Sequence, residues 1–214
     1  MVLAGEDASD RQSLRVLLEA SCPEMRGRTV EINDPVRLRL ATGRRLAERV
    51  AALARMARAR ALRENAELAC VFIHEDFDAV GDSASYPETQ GRVQAALGAV
   101  FNSAHYVLTV TEAEAWLLLF PEAITAFSPS WTVPAARRNR DTGRFQDPKK
   151  IMKNEVASAA QRYRESMTPD IFRKAAELGL LEAPLGSNSS WHRFRESISE
   201  CCAEHLPGRG RRRP

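Results

Sequence analysis

The sequence contains few of the residues that build disulfide frameworks or zinc sites. Its 214 residues include four cysteines and four histidines, and neither a C-x-x-C pair nor an H-x-x-x-H pair occurs. Cys22 and Cys70 are isolated, whereas Cys201 and Cys202 are adjacent. We therefore expect reduced thiols, with no disulfide framework and no zinc site. These counts leave open a site in which oxygen ligands hold a cation.

Long apolar runs and export signals are also missing. No stretch approaches the ~18 apolar residues that a membrane-spanning helix needs. Residues 1–10 lack a basic segment followed by an apolar one, which is the pattern of a secretory signal. We therefore expect a cytoplasmic protein with no membrane partner. The hydrophobic content of 44% and the charged content of 28% indicate a folded chain with one core.

Positive charge is small in total but unevenly distributed. The formal net charge is +3, and arginines concentrate in residues 37–63 and 209–213. Such clusters suit a phosphate-rich partner such as nucleic acid. The alternative is compositional, because arginine and alanine are frequent along the whole chain.

Predicted strands and helices alternate through the first part of the sequence. Strands are predicted at residues 1–4, 28–32, 68–73 and 106–110, and helices from Ser9, over 42–65, over 88–101 and from Thr111. Ser9 and Gln12 have the spacing of a capping box. The run 68–73 is almost entirely apolar, as in a strand covered on both faces. This order predicts an α/β fold with a mostly parallel four-stranded sheet flanked by helices.

The pattern changes after residue 124. Residues 125–148 contain several prolines and arginines, and they predict a long loop. Helical patterns near 149–165, 169–181 and 189–205 predict a C-terminal α-helical appendage over 149–206. We expect the basic tail, residues 207–214, to be disordered. The predicted organisation is thus an α/β domain over residues 1–124, then the loop, the appendage and the tail.

Acidic residues follow three of the predicted strands. Glu6 follows the first strand, Asp76 and Asp78 follow the third, and Glu112 and Glu114 follow the fourth. The carboxyl ends of parallel strands meet at one edge of a sheet, where these side chains would converge. Clustered carboxylates raise one another's pKa unless a cation intervenes, so we predict a Mg²⁺ or Mn²⁺ site for phosphoryl transfer or hydrolysis. The alternative is an ordinary solvated acidic loop.

Two of these segments resemble the paired motifs of the Toprim domain. That family, which includes topoisomerases, bacterial primases and the overcoming-lysogenisation-defect type of nuclease, carries a glutamate after strand one, usually as E-G-x-x-D, and a D-x-D after strand three. Residues 5–10, GEDASD, and residues 76–78, DFD, stand in those places. Asp7 replaces the family's glycine, and His74 stands where an acidic or apolar residue is usual. Residues 111–117, 147–150, 163–164 and 191–194 are similar to an uncharacterised family of Toprim-like bacterial proteins.

The resemblance implies a metal-dependent nuclease. It makes Glu6 the general acid or base, or a ligand of a second metal, and it makes Asp76 and Asp78 the ligands of Mg²⁺ or Mn²⁺. Glu114 is either a further ligand or a carboxylate that interacts with a helix dipole. Asp10 is either an acid of the first helical turn, which is the interpretation we prefer, or a catalytic residue. His74 is interpreted as a packed or hydrogen-bonded residue at a strand end rather than as a ligand. Trp116, Leu117 and Phe120 are predicted to lie in the core.

Nucleic-acid hydrolysis is the Toprim activity that suits this chain best. Topoisomerases need a tyrosine nucleophile on a large body, and primases need a template-binding apparatus, neither of which the sequence indicates. The candidate nucleic-acid contacts are Arg45, Arg49, Arg137, Arg138 and Arg140. No G-x-x-x-x-G-K-[ST] loop occurs, so any ATP hydrolysis would need a separate ATPase subunit. The resemblance implies such a partner, including in anti-phage defence.

Two other functions stay open. The chain could be a catalytically inactive Toprim-fold scaffold, or a phosphatase that acts on a small phosphoester at the same metal site. The sequence does not separate DNA from RNA as the substrate, and it does not indicate an oligomeric state.

Overall fold

Four parallel strands form the centre of the molecule. The computed structural model describes residues 1–79 and 84–205, so part of the acidic loop after strand three and the predicted disordered tail lie outside the described residues. The strands are β1 (Val2–Gly5), β2 (Val30–Glu31), β3 (Val71–Asp76) and β4 (Ala104–Thr109). Their order is β2-β1-β3-β4, and each neighbouring pair is parallel. The prediction of an α/β fold with a four-stranded parallel sheet is confirmed.

Helices cover the sheet and continue to the end of the described chain. They are α1 (Ala8–Ser21), α2 (Gly43–Arg63), α3 (Ser85–Gly98), α4 (Glu114–Leu117), α5 (Pro121–Phe127), α6 (Pro148–Ile151), α7 (Thr168–Glu177) and α8 (Ser189–His205). The helix predicted over 149–165 is instead the short α6, followed by a π-helical turn over Met152–Val156. The segment predicted as a loop contains the end of α5 and two 3-10 turns, Ala135–Arg137 and Thr142–Arg144.

Both faces of the sheet are buried, which explains the apolar run of β3. Side chains alternate between the two faces of a strand. Phe72 packs in one core with residues of α1, α7 and α8, whereas Val71 and Ile73 pack in a second core with residues of α2 and α3. The C-terminal helices therefore share a core with the sheet.

An aromatic cluster joins α4 to α8 beneath the sheet. The ring centroids of Trp116 and Trp191 lie 5.4 Å apart, and those of Trp116 and Phe194 lie 5.1 Å apart. Trp116, Leu117 and Phe120 are at most 1% exposed, so their prediction as core residues is confirmed.

The outer edge of β4 is hydrogen-bonded by side chains of α3. Gln94 donates to Ala104 O at 2.7 Å and accepts from Tyr106 N at 2.8 Å. Gln90 donates to Tyr106 O at 2.8 Å, and the Tyr86 hydroxyl donates to Leu108 O at 2.6 Å. These side chains take the places that the backbone of a fifth strand would occupy.

The N-cap of helix α1 lies two residues before the predicted one. Asp7 is the N-cap: its carboxylate accepts from Asp10 N at 2.9 Å, and the Asp10 carboxylate accepts from Asp7 N at 3.3 Å. The prediction of Ser9 as the N-cap was wrong, because Asp7 caps equally well and precedes it. The Ser9 hydroxyl instead donates to Glu165 O at 2.7 Å.

Ser190→Ala is expected to lower the free energy of unfolding by about 2 kcal/mol, because two buried donors would lose their acceptor. The buried Ser190 Oγ accepts from Val110 N at 3.1 Å and from Trp116 Nε1 at 2.9 Å. Urea denaturation measures the change. Ser189→Ala, at the exposed neighbouring position, is the control, and equal effects of the two substitutions would contradict the prediction.

Candidate functional site

Glu6 and Asp78 meet at a shared arginine beyond the carboxyl ends of β1 and β3. Arg39 Nε lies 3.8 Å from Glu6 Oε1, and the Arg39 guanidinium also pairs with the Asp78 carboxylate. Burial raises the pKa of Glu6, and the neighbouring carboxylates of Asp78 and Asp10 add to this, whereas Arg39 opposes it. The Glu6 side chain keeps 31% of its surface exposed. It is therefore accessible to solvent and has a raised affinity for a proton.

A buried glutamate holds the loop that carries Arg39. The Glu75 carboxylate accepts from Leu38 N and from Arg39 N at 2.8 Å, and the Tyr106 hydroxyl donates to it as well. Glu75 is fully buried and points to the opposite face of the sheet from Asp76, as strand alternation requires. Sequence reasoning missed both Glu75 and Arg39, because the contact joins segments that lie far apart in the chain.

His74 lies between two carboxylates on the other side of β3. Its Nδ1 is 3.5 Å from Asp10 Oδ2, and its Nε2 is 3.8 Å from Asp76 Oδ1 and 2.6 Å from Thr109 Oγ1. Burial opposes protonation of His74, but Asp10 and the nearby carboxylates of Asp76 and Glu6 outweigh it and raise the pKa to about 9. His74 is therefore cationic at neutral pH and offsets their charge.

Asp10, His74 and Thr109 are linked in the same order as the acid, the base and the nucleophile of a catalytic triad. Their environment does not suit such catalysis. Thr109 is 0% exposed, so its hydroxyl cannot reach a substrate. Asp10 also serves as the capping-box partner of α1. This chain of contacts holds the end of β3 against α1 and β4.

Asp76 is the least satisfied carboxylate of the site. Its Oδ1 is buried and has no hydrogen-bond partner. Burial raises the pKa of Asp76 well above its usual range; His74 opposes the shift, whereas Asp10, Glu114 and Asp78 reinforce it. A cation beside this oxygen would offset both the desolvation and the repulsion.

Glu114 also lies at the edge where the strands end, and its side chain contacts residues from distant segments of the chain. It is 4% exposed, and its carboxylate accepts from the Tyr163 hydroxyl at 2.9 Å. Burial raises the pKa of Glu114 to about 7, against the opposing effects of Lys149 and Tyr163. Lys149 Nζ lies 3.6 Å from Glu112 Oε1. Arg39, His74 and Lys149 thus supply the positive charge that the acidic loops themselves lack.

Two residues at this edge have a left-handed backbone. Asp78 has φ +58° and Thr111 has φ +61°, and Asp78 N donates to Thr111 O at 3.1 Å. This conformation is costly for residues other than glycine, particularly β-branched ones, and it is concentrated at functional sites. The prediction that a helix starts at Thr111 was wrong, since α4 begins only at Glu114.

The arginines predicted to bind nucleic acid lie on α2 and in the segment between α5 and α6. Arg45 is exposed on α2, and Arg49 donates to a backbone carbonyl, that of Arg37. Arg137 pairs with Glu155 at 2.9 Å. Arg138 Nε donates to Val133 O at 2.8 Å, and Arg140 is exposed.

The cysteines form a cluster that the sequence did not indicate. Cys22 and Cys202, 180 residues apart, form a disulfide, while Cys70 and Cys201 are free and buried with their Sγ atoms 2.8 Å apart. Ligand atoms of Cys70, Cys201 and His105 all lie within 4.8 Å of one another. Among the described residues, no three carboxylates have oxygen atoms that all lie within 4.8 Å of one another. The expectation that the thiols are reduced and form no disulfide was therefore wrong for Cys22 and Cys202, and Cys70, His105 and Cys201 form a candidate metal site.

Comparisons with protein-family models, curated proteins and solved structures find no match for this chain. The relation to the Toprim domain accordingly stays a prediction. In the described part of the chain, no helix has both the length and the apolar character needed to cross a membrane.

Glu114 is expected to make stability fall as pH rises in the metal-free protein. Its pKa of about 7 in the folded chain exceeds the ordinary value of 4.5. Between these values the folded chain binds more protons than the unfolded one, so the cost of the buried charge is absent below pH 4.5 and fully present above pH 7. Urea denaturation in EDTA from pH 4 to 8 measures this slope.

Glu114→Gln should flatten the slope, because glutamine carries no charge at any pH. Glu88→Gln, which removes an exposed carboxylate on α3, should leave it unchanged. An unaltered slope in Glu114→Gln would contradict the prediction.

Proposed function

We propose that this chain is a metal-dependent nuclease of the Toprim type, which hydrolyses phosphodiester bonds of DNA or RNA in the cytoplasm. One observation carries the proposal: Asp76 Oδ1 is buried without a hydrogen-bond donor at the end of the central strand β3. Three other carboxylates, those of Asp10, Asp78 and Glu114, repel the charge of Asp76. His74 Nε2, 3.8 Å from Asp76 Oδ1, offsets part of the negative charge. The oxygen still lacks a hydrogen-bond donor, and a buried carboxylate oxygen in an acidic site suits a hard cation.

The candidate ligands of Mg²⁺ or Mn²⁺ are Asp76, Asp78, Glu6 and Glu114. Mg²⁺ in proteins commonly keeps several waters and takes only one or two carboxylates. Asp76 and one neighbour are therefore enough, although the carboxylates do not form a tight group of three. When bound, the ion supplies Lewis-acid stabilisation of charge on the phosphate and a lowered pKa for a bound water.

The chain itself supplies proton transfer and phosphate binding. Glu6 is partly exposed and has a raised pKa, as a general acid or base near neutral pH requires. Arg39 lies within reach of Glu6 and Asp78, and Lys149 lies beside Glu112. These cations can bind phosphate oxygens.

A scaffold function is the second candidate, and the position of Arg39 favours it. The guanidinium already pairs with Glu6 and Asp78, so part of the negative charge is neutralised without a metal. In that case the chain would serve as an interaction subunit. The ATPase partner and the role in anti-phage defence belong to the nuclease proposal, and they rest on the Toprim resemblance alone.

Cleavage assays with Mg²⁺ or Mn²⁺ test the proposal on plasmid DNA, linear DNA and single-stranded RNA. We expect wild type to cleave at least one of these and Glu6→Gln to lose about 10²-fold or more in rate, since general acid–base catalysis contributes on this scale. Asp7→Asn is the matched control, because asparagine caps a helix as well as aspartate does.

Two outcomes would redirect the interpretation. If the wild-type protein neither cleaves these substrates nor binds Mn²⁺ at millimolar concentration, the nuclease proposal is contradicted. The scaffold function then becomes the better interpretation. Hydrolysis of a small phosphoester without competition by DNA or RNA would instead support the phosphatase.

A further inference from the structure

A second cluster of metal-binding side chains lies at the opposite edge of the sheet from the carboxylates. Cys70 immediately precedes β3, His105 is the second residue of β4, and Cys201 lies in the last two turns of α8. Their ligand atoms lie within 4.8 Å of one another, and both cysteines are 0% exposed. Thiolate and imidazole are the ligands that zinc prefers, whereas Mg²⁺ prefers oxygen.

A second histidine lies on the same helix as Cys201, although its ring nitrogens are not within 4.8 Å of all three ligand atoms. His205 follows Cys201 by four residues on α8, and residues at this spacing share one face of a helix. The Nε2 atoms of His105 and of His205 are both buried without a hydrogen-bond partner. His205 Nε2 does lie 3.4 Å from Glu204 Oε2, but the side chain of Glu204 is largely exposed and free to turn away.

We propose that Cys70, His105, Cys201 and His205 bind one Zn²⁺ ion, or another thiophilic divalent cation, in a tetrahedral site. Such a Cys₂His₂ set is a closed coordination sphere with no position for substrate, which is typical of structural zinc. The site would fasten the C-terminal end of α8 to the amino ends of β3 and β4.

A disulfide between Cys70 and Cys201 is the competing interpretation. Their sulfurs, 2.8 Å apart, are too distant for a disulfide bond of about 2.05 Å and closer than the roughly 3.8 Å that follows from tetrahedral Zn–S bonds of about 2.3 Å. Either bond would need a shift of about 1 Å. A disulfide would leave both imidazole nitrogens buried and unpaired, whereas zinc would use all four side chains.

This site is independent of the proposed nuclease centre. Asp76 lies six positions after Cys70 along an extended strand, a distance of about 20 Å. Loss of zinc and loss of Mg²⁺ or Mn²⁺ can therefore be measured separately, and Asp76→Asn should retain its zinc.

Metal content of the full chain tests the proposal. The protein is purified with a mild reductant and without chelator, dialysed, and analysed for zinc by mass spectrometry, then reloaded with Co²⁺ for visible spectroscopy. We expect one zinc per chain and the absorption bands of tetrahedral cobalt bound to thiolate. Cys201→Ser and His205→Gln should each weaken zinc binding by ~10-fold or more.

Matched controls come from the same helix. His192→Gln replaces an exposed histidine of α8, and Glu200→Gln replaces the exposed residue next to Cys201; both should keep the zinc. Circular dichroism of His205→Gln checks that α8 still forms. Wild type without zinc or thiolate–cobalt bands, a Cys70–Cys201 disulfide in protein purified with zinc, or equal zinc loss in the controls would each overturn the proposal.

Discussion

Asp76→Asn is expected to lower the rate of Mg²⁺-dependent cleavage by about 10³-fold or more, the scale on which single catalytic groups contribute. Asparagine keeps the size of the side chain but removes the charge that would hold the cation. The same substitution should raise the Tm of the metal-free protein. Burial and three carboxylates disfavour the charged form of Asp76 and raise its pKa, so the neutral amide removes an unfavourable charge.

The opposite signs of the two effects distinguish a functional carboxylate from a structural one. Cleavage rates and thermal unfolding in EDTA are measured on the same preparations, with Asp7→Asn as the control. A carboxylate that served the fold alone would give a lower Tm on substitution. A normal cleavage rate in Asp76→Asn would show that Asp76 is not part of the catalytic site.

Trp116→Ala is expected to lower the free energy of unfolding by about 3–5 kcal/mol, the usual cost of truncating a buried tryptophan. The indole is 1% exposed and contacts the rings of His74, Trp191 and Phe194. Its removal leaves a cavity between the sheet and α8. Urea denaturation followed by circular dichroism measures the loss.

Because the sheet and the C-terminal helices share this core, they should unfold together in one transition. Leu62→Ala, at a leucine that is 77% exposed, should change stability by no more than about 0.5 kcal/mol. Two separate transitions, with only one of them affected by Trp116→Ala, would show instead that the helices fold as an independent unit.

The sequence predicted best the strands and helices whose formation depends on the residue pattern of a single segment. The apolar run before His74 becomes a strand buried on both faces, and the pattern over 189–205 becomes α8 with the same bounds. In both cases the hydrophobic periodicity of a single element sufficed. The convergence of the acidic residues at one edge follows from the parallel topology, which the alternation of elements indicated.

The features that sequence reasoning missed come from contacts between distant segments. Arg39 enters the acidic site from a loop that carries no motif. Lys149 enters it from α6, where the resemblance of residues 147–150 implied no role for this lysine. Cys22 and Cys202 are joined across 180 residues. The i, i+4 spacing of Cys201 and His205 was visible in the sequence, but the fold was needed to bring Cys70 and His105 to them.

Sequence patterns for helix caps gave the wrong starting residue for two helices. Ser9 and Thr111 each begin a pattern that suits a helix start, yet Asp7 caps α1 and Thr111 adopts a left-handed turn. The backbone beyond β3 and β4 stays paired through residues 77–79 and 109–111, and this pairing delays the start of α4. Tertiary hydrogen bonds thus override the propensity of the segment.

The side chains of α3 that bind the outer edge of β4 also affect how this protein meets other copies of itself. An unpaired strand edge can recruit a strand from a neighbouring molecule, and this is a common route to aggregation. Tyr86, Gln90 and Gln94 occupy the outward backbone groups of β4. A second molecule would have to displace all three side chains before it could extend the sheet, so the edge of β4 is protected from intermolecular pairing without a charged or proline residue.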